Sequence, residues 1–93
     1  MPNLGIKSKV LIVDDEKNIG ESLTAIFTSR GYESKTAFSA ELAVEIIAGC
    51  EPNLAIVDVR LPKMNGIDLA IALKNGRPSC RVLLFSFALY NRS

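Results

Sequence analysis

Cysteine is scarce. Cys50 and Cys80 are the only two in 93 residues, too few and too scattered for a disulfide framework or a zinc site. They read instead as small, semi-buried thiols in a reducing compartment. Neither sign of charge is in excess, with 11 basic residues against 10 acidic ones and a net charge of +1. Neutralising phosphates needs a clustered basic face, so a nucleic-acid partner has no electrostatic support. Long hydrophobic runs are lacking too. The first nine residues hold no apolar stretch of signal-peptide length, and no later stretch could span a membrane. The expectation is a cytoplasmic chain with no membrane partner. Repeats, linkers and low-complexity segments are likewise missing.

What remains is ordinary globular material, 48% hydrophobic and 23% charged, which excludes disorder as the default. At 93 residues the chain is shorter than the usual domain, so residues 1–93 can form one domain at most.

The apolar periodicity alternates between two kinds. Val10-Leu11-Ile12-Val13 is a short, wholly apolar run ending abruptly in Asp14-Asp15, as expected of a strand buried on both faces of a parallel sheet. Ile19, Leu23, Ile26 and Phe27 then recur at helical spacing, with Gly31 as the C-cap. Residues 32–37 are shorter and more polar, which fits an edge strand. Ser39 can cap a second helix that carries Leu42, Ile46 and Ile47 on one face. The pattern repeats with the buried-strand run Leu54-Ala55-Ile56-Val57, again closed by an acid, Asp58. A loop with Pro62 and Asn65-Gly66 follows, then a helix with Ile67, Ala70 and Ile71 inward. After the turn Arg77-Pro78-Ser79, Val82-Leu83-Leu84-Phe85 is a third candidate for a buried strand. Such alternation implies right-handed crossovers and an α/β, doubly wound parallel sheet.

In such a sheet ligands bind at the carboxyl ends of the strands, near the point where strand order reverses. Asp14, Asp15 and Asp58 stand at two of those ends. If the two strands are neighbours, the three acids face one crevice. Gathered carboxylates raise one another's pKa, and a hard divalent cation removes that cost; Mg²⁺ suits carboxylates combined with carbonyl and water oxygens. The alternative is that each acid merely ends its strand and caps the next helix.

These residues resemble the response-regulator receiver domains of two-component signalling. The resemblance rests on residues 10–16, VLIVDDE, on residues 54–66, LAIVDVRLPKMNG, and on residues 83–86, LLFS. It implies a flavodoxin-like receiver fold with strand order 2-1-3-4. It also implies that Asp58 is the phosphoacceptor. Asp14, Asp15, Asp58 and the backbone carbonyl of Arg60 would hold Mg²⁺, and Ser86 would hydrogen-bond the phosphoryl group. Pro62 would stiffen the loop carrying Arg60 and Lys63, with the two cations otherwise solvated, and Gly66 would begin the third helix. The implied partner is a histidine kinase or a histidine phosphotransfer protein.

The family pattern continues with a fourth helix, a fifth strand and a fifth helix, whereas residues 87–93 read FALYNRS. That atypical tail leaves no counterpart for the fifth strand or its phosphoryl-pairing Lys, and it puts the bulky Phe87 where the family has a small residue. The expectation is an incomplete receiver whose fourth strand is an exposed edge, open to a homodimer or a domain swap. Two alternatives stand beside the phospho-accepting module. One is a degenerate receiver, an interaction module without efficient phosphotransfer. The other is an aspartyl-phosphate phosphohydrolase, which places a second Asp where this chain has Arg60.

Overall fold

A computed structural model of the chain describes residues 8–61 and 64–86. The elements run β1 (Lys9–Val13), α1 (Lys17–Ser29), β2 (Glu33–Ala37), α2 (Ala40–Cys50), β3 (Leu54–Asp58), α3 (Gly66–Gly76) and β4 (Arg81–Phe85). The four strands form one parallel sheet in the order β2-β1-β3-β4, the doubly wound arrangement that the alternating periodicity implies. Leu11, Val13, Ala55 and Val57 make its centre, each at most 1% exposed, because β1 and β3 are flanked by strands on both sides. The short polar β2 lies at one edge, as its composition suggests.

Local chemistry sets the ends of the helices. At the end of α1, Gly31 adopts φ 95°, the left-handed conformation that costs glycine little. The Gly31 amide donates to the Thr28 carbonyl at 3.1 Å, and the Tyr32 amide to the Phe27 carbonyl at 3.1 Å. Edge-to-face packing of Phe27 on Tyr32, centroids 5.5 Å apart, completes a Schellman stop. Ser39 caps α2 as expected, its hydroxyl oxygen accepting the Leu42 amide at 3.1 Å. At α3 the Asn65 side chain accepts the Ile67 amide at 2.7 Å.

Three expectations about facing are overturned in whole or in part. In α2 the inward residues are Ala40, Ala43 and Ile47, with Ile46 partly buried against them, whereas Leu42 is exposed. In α3 the inward residues are Gly66, Leu69 and Leu73; Ile67 and Ile71 point out, and Ala70 is only half-buried. The cause is visible at Gly66. Its position lies so close to the Asp58 carbonyl oxygen and the Val59 Cα that no Cβ could fit. That approach fixes the phase of α3, and residues 69 and 73 share the face of residue 66. Finally, β4 is not buried on both faces. Among the described residues it pairs with β3 alone, and Leu83 and Leu84 are 56% and 44% exposed. Among the described residues β4 is the sheet's other edge, in line with the expectation of an exposed fourth strand. Cys80 is buried and Cys50 half-buried, as expected of free thiols. Pro62, Lys63 and residues 87–93 lie outside the described residues.

Candidate metal and phosphoacceptor site

Strand register builds the site. Val13 pairs with Val57 across the two central strands, so Asp14 and Asp58, each one residue further on, leave the sheet side by side. The Asp14 amide donates to the Ala37 carbonyl at 3.0 Å, and the Val59 amide to the Phe85 carbonyl at 2.9 Å. Each strand end is thereby pinned to its outer neighbour. Both acids then make the same local turn. One oxygen, Oδ1, of Asp14 accepts the Glu16 amide at 2.9 Å, and Oδ1 of Asp58 accepts the Arg60 amide at 2.9 Å. These turns aim the second oxygen of each carboxyl group away from its own backbone.

The outcome is a cluster in which one carboxylate oxygen each from Asp14, Asp15 and Asp58 lies within 4.8 Å of the others. Asp14 is fully buried and Asp58 is 4% exposed, while Asp15 is open to solvent. Such crowding has an electrostatic cost. Burial drives the Asp14 carboxyl up from 3.8 to about 6. Its Glu16 amide partner pulls the other way, and the nearby Asp58 and Asp15 add to the rise. The second oxygen of Asp14, Oδ2, is buried with no hydrogen-bond partner among the described residues. A buried acceptor without a donor, among like charges, is a group that a cation would satisfy. An all-oxygen donor set suits a hard ion such as Mg²⁺ better than a softer metal. The residues present therefore fit that ion.

Other expected members stand around the cluster. Arg60 occupies the turn after Asp58. Ser86 follows β4 directly, and its predecessor Phe85 is the register partner of Asp58, which puts Ser86 at the same edge of the sheet. Gly66 opens α3, and its amide donates to the Val59 carbonyl at 3.1 Å. Pro62 and Lys63 cannot be placed against the site, being outside the described residues. Gly20, which no motif of the sequence marks, is the only buried residue of α1. A glycine inside a helix costs about 1 kcal/mol relative to alanine, and that cost was the available signal.

Comparisons with known proteins point one way. A family model described as the response regulator receiver domain matches residues 10–91. The chain is 32% identical over 83 residues to the photosynthetic apparatus regulatory protein RegA of Cereibacter sphaeroides, covering 89% of this chain and 45% of that protein. It is 30% identical over 81 residues to sporulation initiation phosphotransferase F of Bacillus subtilis, covering 87% and 65% respectively. The chain thus spans less than two thirds of the length of these curated relatives. Among solved structures, a CheY-like receiver domain protein from Methanospirillum hungatei superposes with a TM-score of 0.82 at 32% identity, covering 85% of this chain and 63% of that one. The response regulator TrrA of Thermotoga maritima, solved in complex with Mg²⁺ and BeF, gives a TM-score of 0.80 at 28% identity, covering 90% and 74%.

Proposed function

The chain belongs to the response regulator receiver domain family of two-component systems, and from that premise we propose that Asp58 accepts a phosphoryl group from a phosphohistidine while Asp14 and Asp15 hold Mg²⁺ beside it. The observation that carries this reading is the register of Val13 with Val57, which brings the acids of two separate strand ends to one point. The donor would be a histidine kinase or a histidine phosphotransfer protein. Support comes from the phosphotransferase named among the relatives and from the Mg²⁺ and BeF bound by a structural neighbour.

In the proposed step an oxygen of Asp58 attacks phosphorus in line, the new P–O bond forms and the P–N bond to imidazole breaks. The leaving nitrogen recovers its neutral form by taking a proton. The Arg60 amide occupies Oδ1 of Asp58, so Oδ2 is the oxygen left for attack. When bound, Mg²⁺ would offset negative charge on the transferred oxygens. Asp14, Asp15, Asp58 and the Arg60 carbonyl are its candidate ligands, and Ser86 the candidate hydrogen-bond donor to the phosphoryl group. Residues 1–93 would act as one receiver module, a signalling part rather than an enzyme, in the cytoplasm with its kinase. Among the described residues no helix is long and apolar enough to cross a membrane. Incubation with Mg²⁺ and acetyl phosphate, followed by intact mass measurement, tests the proposal. One added phosphoryl group on the wild type and none on Asp58→Asn is the expected result. No adduct on either would leave the degenerate receiver as the better account.

A second reading concerns assembly and rests on β4, where Leu83 and Leu84 are exposed beside an edge that pairs with β3 alone among the described residues. An edge strand is self-complementary under a two-fold axis, so a second copy of this chain is the occupant it fits. Light scattering at micromolar concentration should then give a dimer; a monomer would remove this reading without touching the first.

A further inference from the structure

Gly20 faces β2 at a distance that only a residue without a side chain can keep. A Cβ there would stand 2.7 Å from Cγ2 of Thr36 and 3.4 Å from the Phe38 ring. Thr36 cannot readily turn aside. It is β-branched and sits in a strand, where χ1 is stiff. Its hydroxyl is also engaged with the Thr24 hydroxyl and donates to the Gly20 carbonyl at 3.5 Å. Rotating Cγ2 away would break both contacts.

The contact bears on the acidic cluster because the same few residues link them. Gly20 donates its amide to the Glu16 carbonyl at 3.0 Å, and Glu16 donates its own amide to Oδ1 of Asp14. On the other side, the Asp14 amide is held by the carbonyl of Ala37, the residue after Thr36. The acid-bearing loop is therefore strung between the first turn of α1 and the end of β2. Strand register places Asp14, while the loop through Asp15 and Glu16 is held between those two elements. Gly20 meets Thr36 at the contact between them.

We propose that Gly20 is a positioning residue for the acidic site: its lack of a side chain lets α1 close onto Thr36 and so draws the loop through Asp15 and Glu16 into the geometry that binds the cation. The claim rests on the Mg²⁺-binding reading above and deepens it.

The test is a double-mutant cycle of Gly20→Ala and Thr36→Ser, chosen because serine keeps the hydroxyl and deletes only the obstructing methyl. Two readouts are taken on each protein: the Mg²⁺ dissociation constant by calorimetry, and the metal-free amide shifts of Asp15 and Glu16. Gly20→Ala should weaken Mg²⁺ binding roughly tenfold, on the order of 1.4 kcal/mol, and shift both amides. Adding Thr36→Ser should restore affinity to within about twofold of Thr36→Ser alone and return the amides. If Gly20→Ala is too unstable to measure, the comparison of the double variant with Thr36→Ser still decides. Wild-type affinity and shifts in a merely destabilised Gly20→Ala would overturn the proposal, as would a folded double variant that binds Mg²⁺ tenfold more weakly than Thr36→Ser. A wild type that binds no Mg²⁺ would refute the functional reading by itself, since the loop displacement is read without metal.

Discussion

Replacing Asp14 by Asn removes one buried negative charge while preserving shape. The Asn carbonyl oxygen can still accept the Glu16 amide that Asp14 accepts at 2.9 Å. Its amide nitrogen takes the place of Oδ2, the oxygen without a partner among the described residues, and can donate towards the Asp58 carboxylate. The Asp14 carboxyl titrates near 6 in the folded protein against 3.8 as its ordinary value. Between those two pH values the folded state binds more protons than the unfolded one, so stability falls as pH rises through that window and the loss is complete above it. At 1.36 kcal/mol per pH unit the difference amounts to about 3 kcal/mol. In metal-free buffer at pH 7.5, Asp14→Asn should therefore be more stable than the wild type by about 1–3 kcal/mol, the lower figure applying if water reaches the ionised Asp14 carboxylate and relieves its burial. For a domain this small each kcal/mol moves the melting temperature by roughly 4–8 °C, which scanning calorimetry or circular dichroism resolves easily. Saturating Mg²⁺ should reverse the order. A ligand at a thousand times its Kd adds about 4.1 kcal/mol to the protein that binds it, more than the variant's advantage, and the variant has lost a ligand. The variant should also lose the downward slope of stability between pH 4 and pH 6. A variant less stable than wild type without metal, or one that gains as much from Mg²⁺, would refute the account of a strained, cation-seeking cluster.

The frame around that cluster is open to substitution as well. Gly66→Ala forces a Cβ into the Asp58 and Val59 backbone and should cost about 1–3 kcal/mol by urea denaturation; an unchanged midpoint would show that α3 can shift freely. Leu73→Ala empties a site that is 1% exposed and should cost about 2–5 kcal/mol. Ile71→Ala, at a site 56% exposed, should cost about 0.5 kcal/mol or less. Equal costs for these two variants would contradict the observed phase of α3.

What the sequence made legible depended on how many constraints met at one place. The runs ending at Val13 and Val57 are apolar without interruption and stop at acids, which marks both as buried strands of a parallel sheet. The acidic site also needed those strands to be neighbours, which the strand order supplies. The helix faces were harder, because α3 carries two apolar stripes of nearly equal strength. Ile67 and Ile71 form one, Leu69 and Leu73 the other, and periodicity alone cannot choose between them. Gly66 decides it through a backbone contact from another element. In α2 the bulk of Leu42 misdirected the reading, whereas small Ala40 and Ala43 lie inward. Close packing against a sheet rewards small residues as well as large ones. For β4, composition indicated burial while position made an edge, and strand order carries that information.

On the proposed reading, Asp58 is the residue that takes the phosphoryl group. Borohydride reduces an acyl phosphate to an alcohol, so an aspartyl phosphate becomes homoserine at its own position. After treatment with Mg²⁺ and acetyl phosphate, reduction and peptide mass spectrometry should find homoserine at residue 58, dependent on Mg²⁺ and absent from Asp14→Asn. Homoserine at residue 14 or 15, or a phosphorylated chain with Asp58 intact, would contradict it.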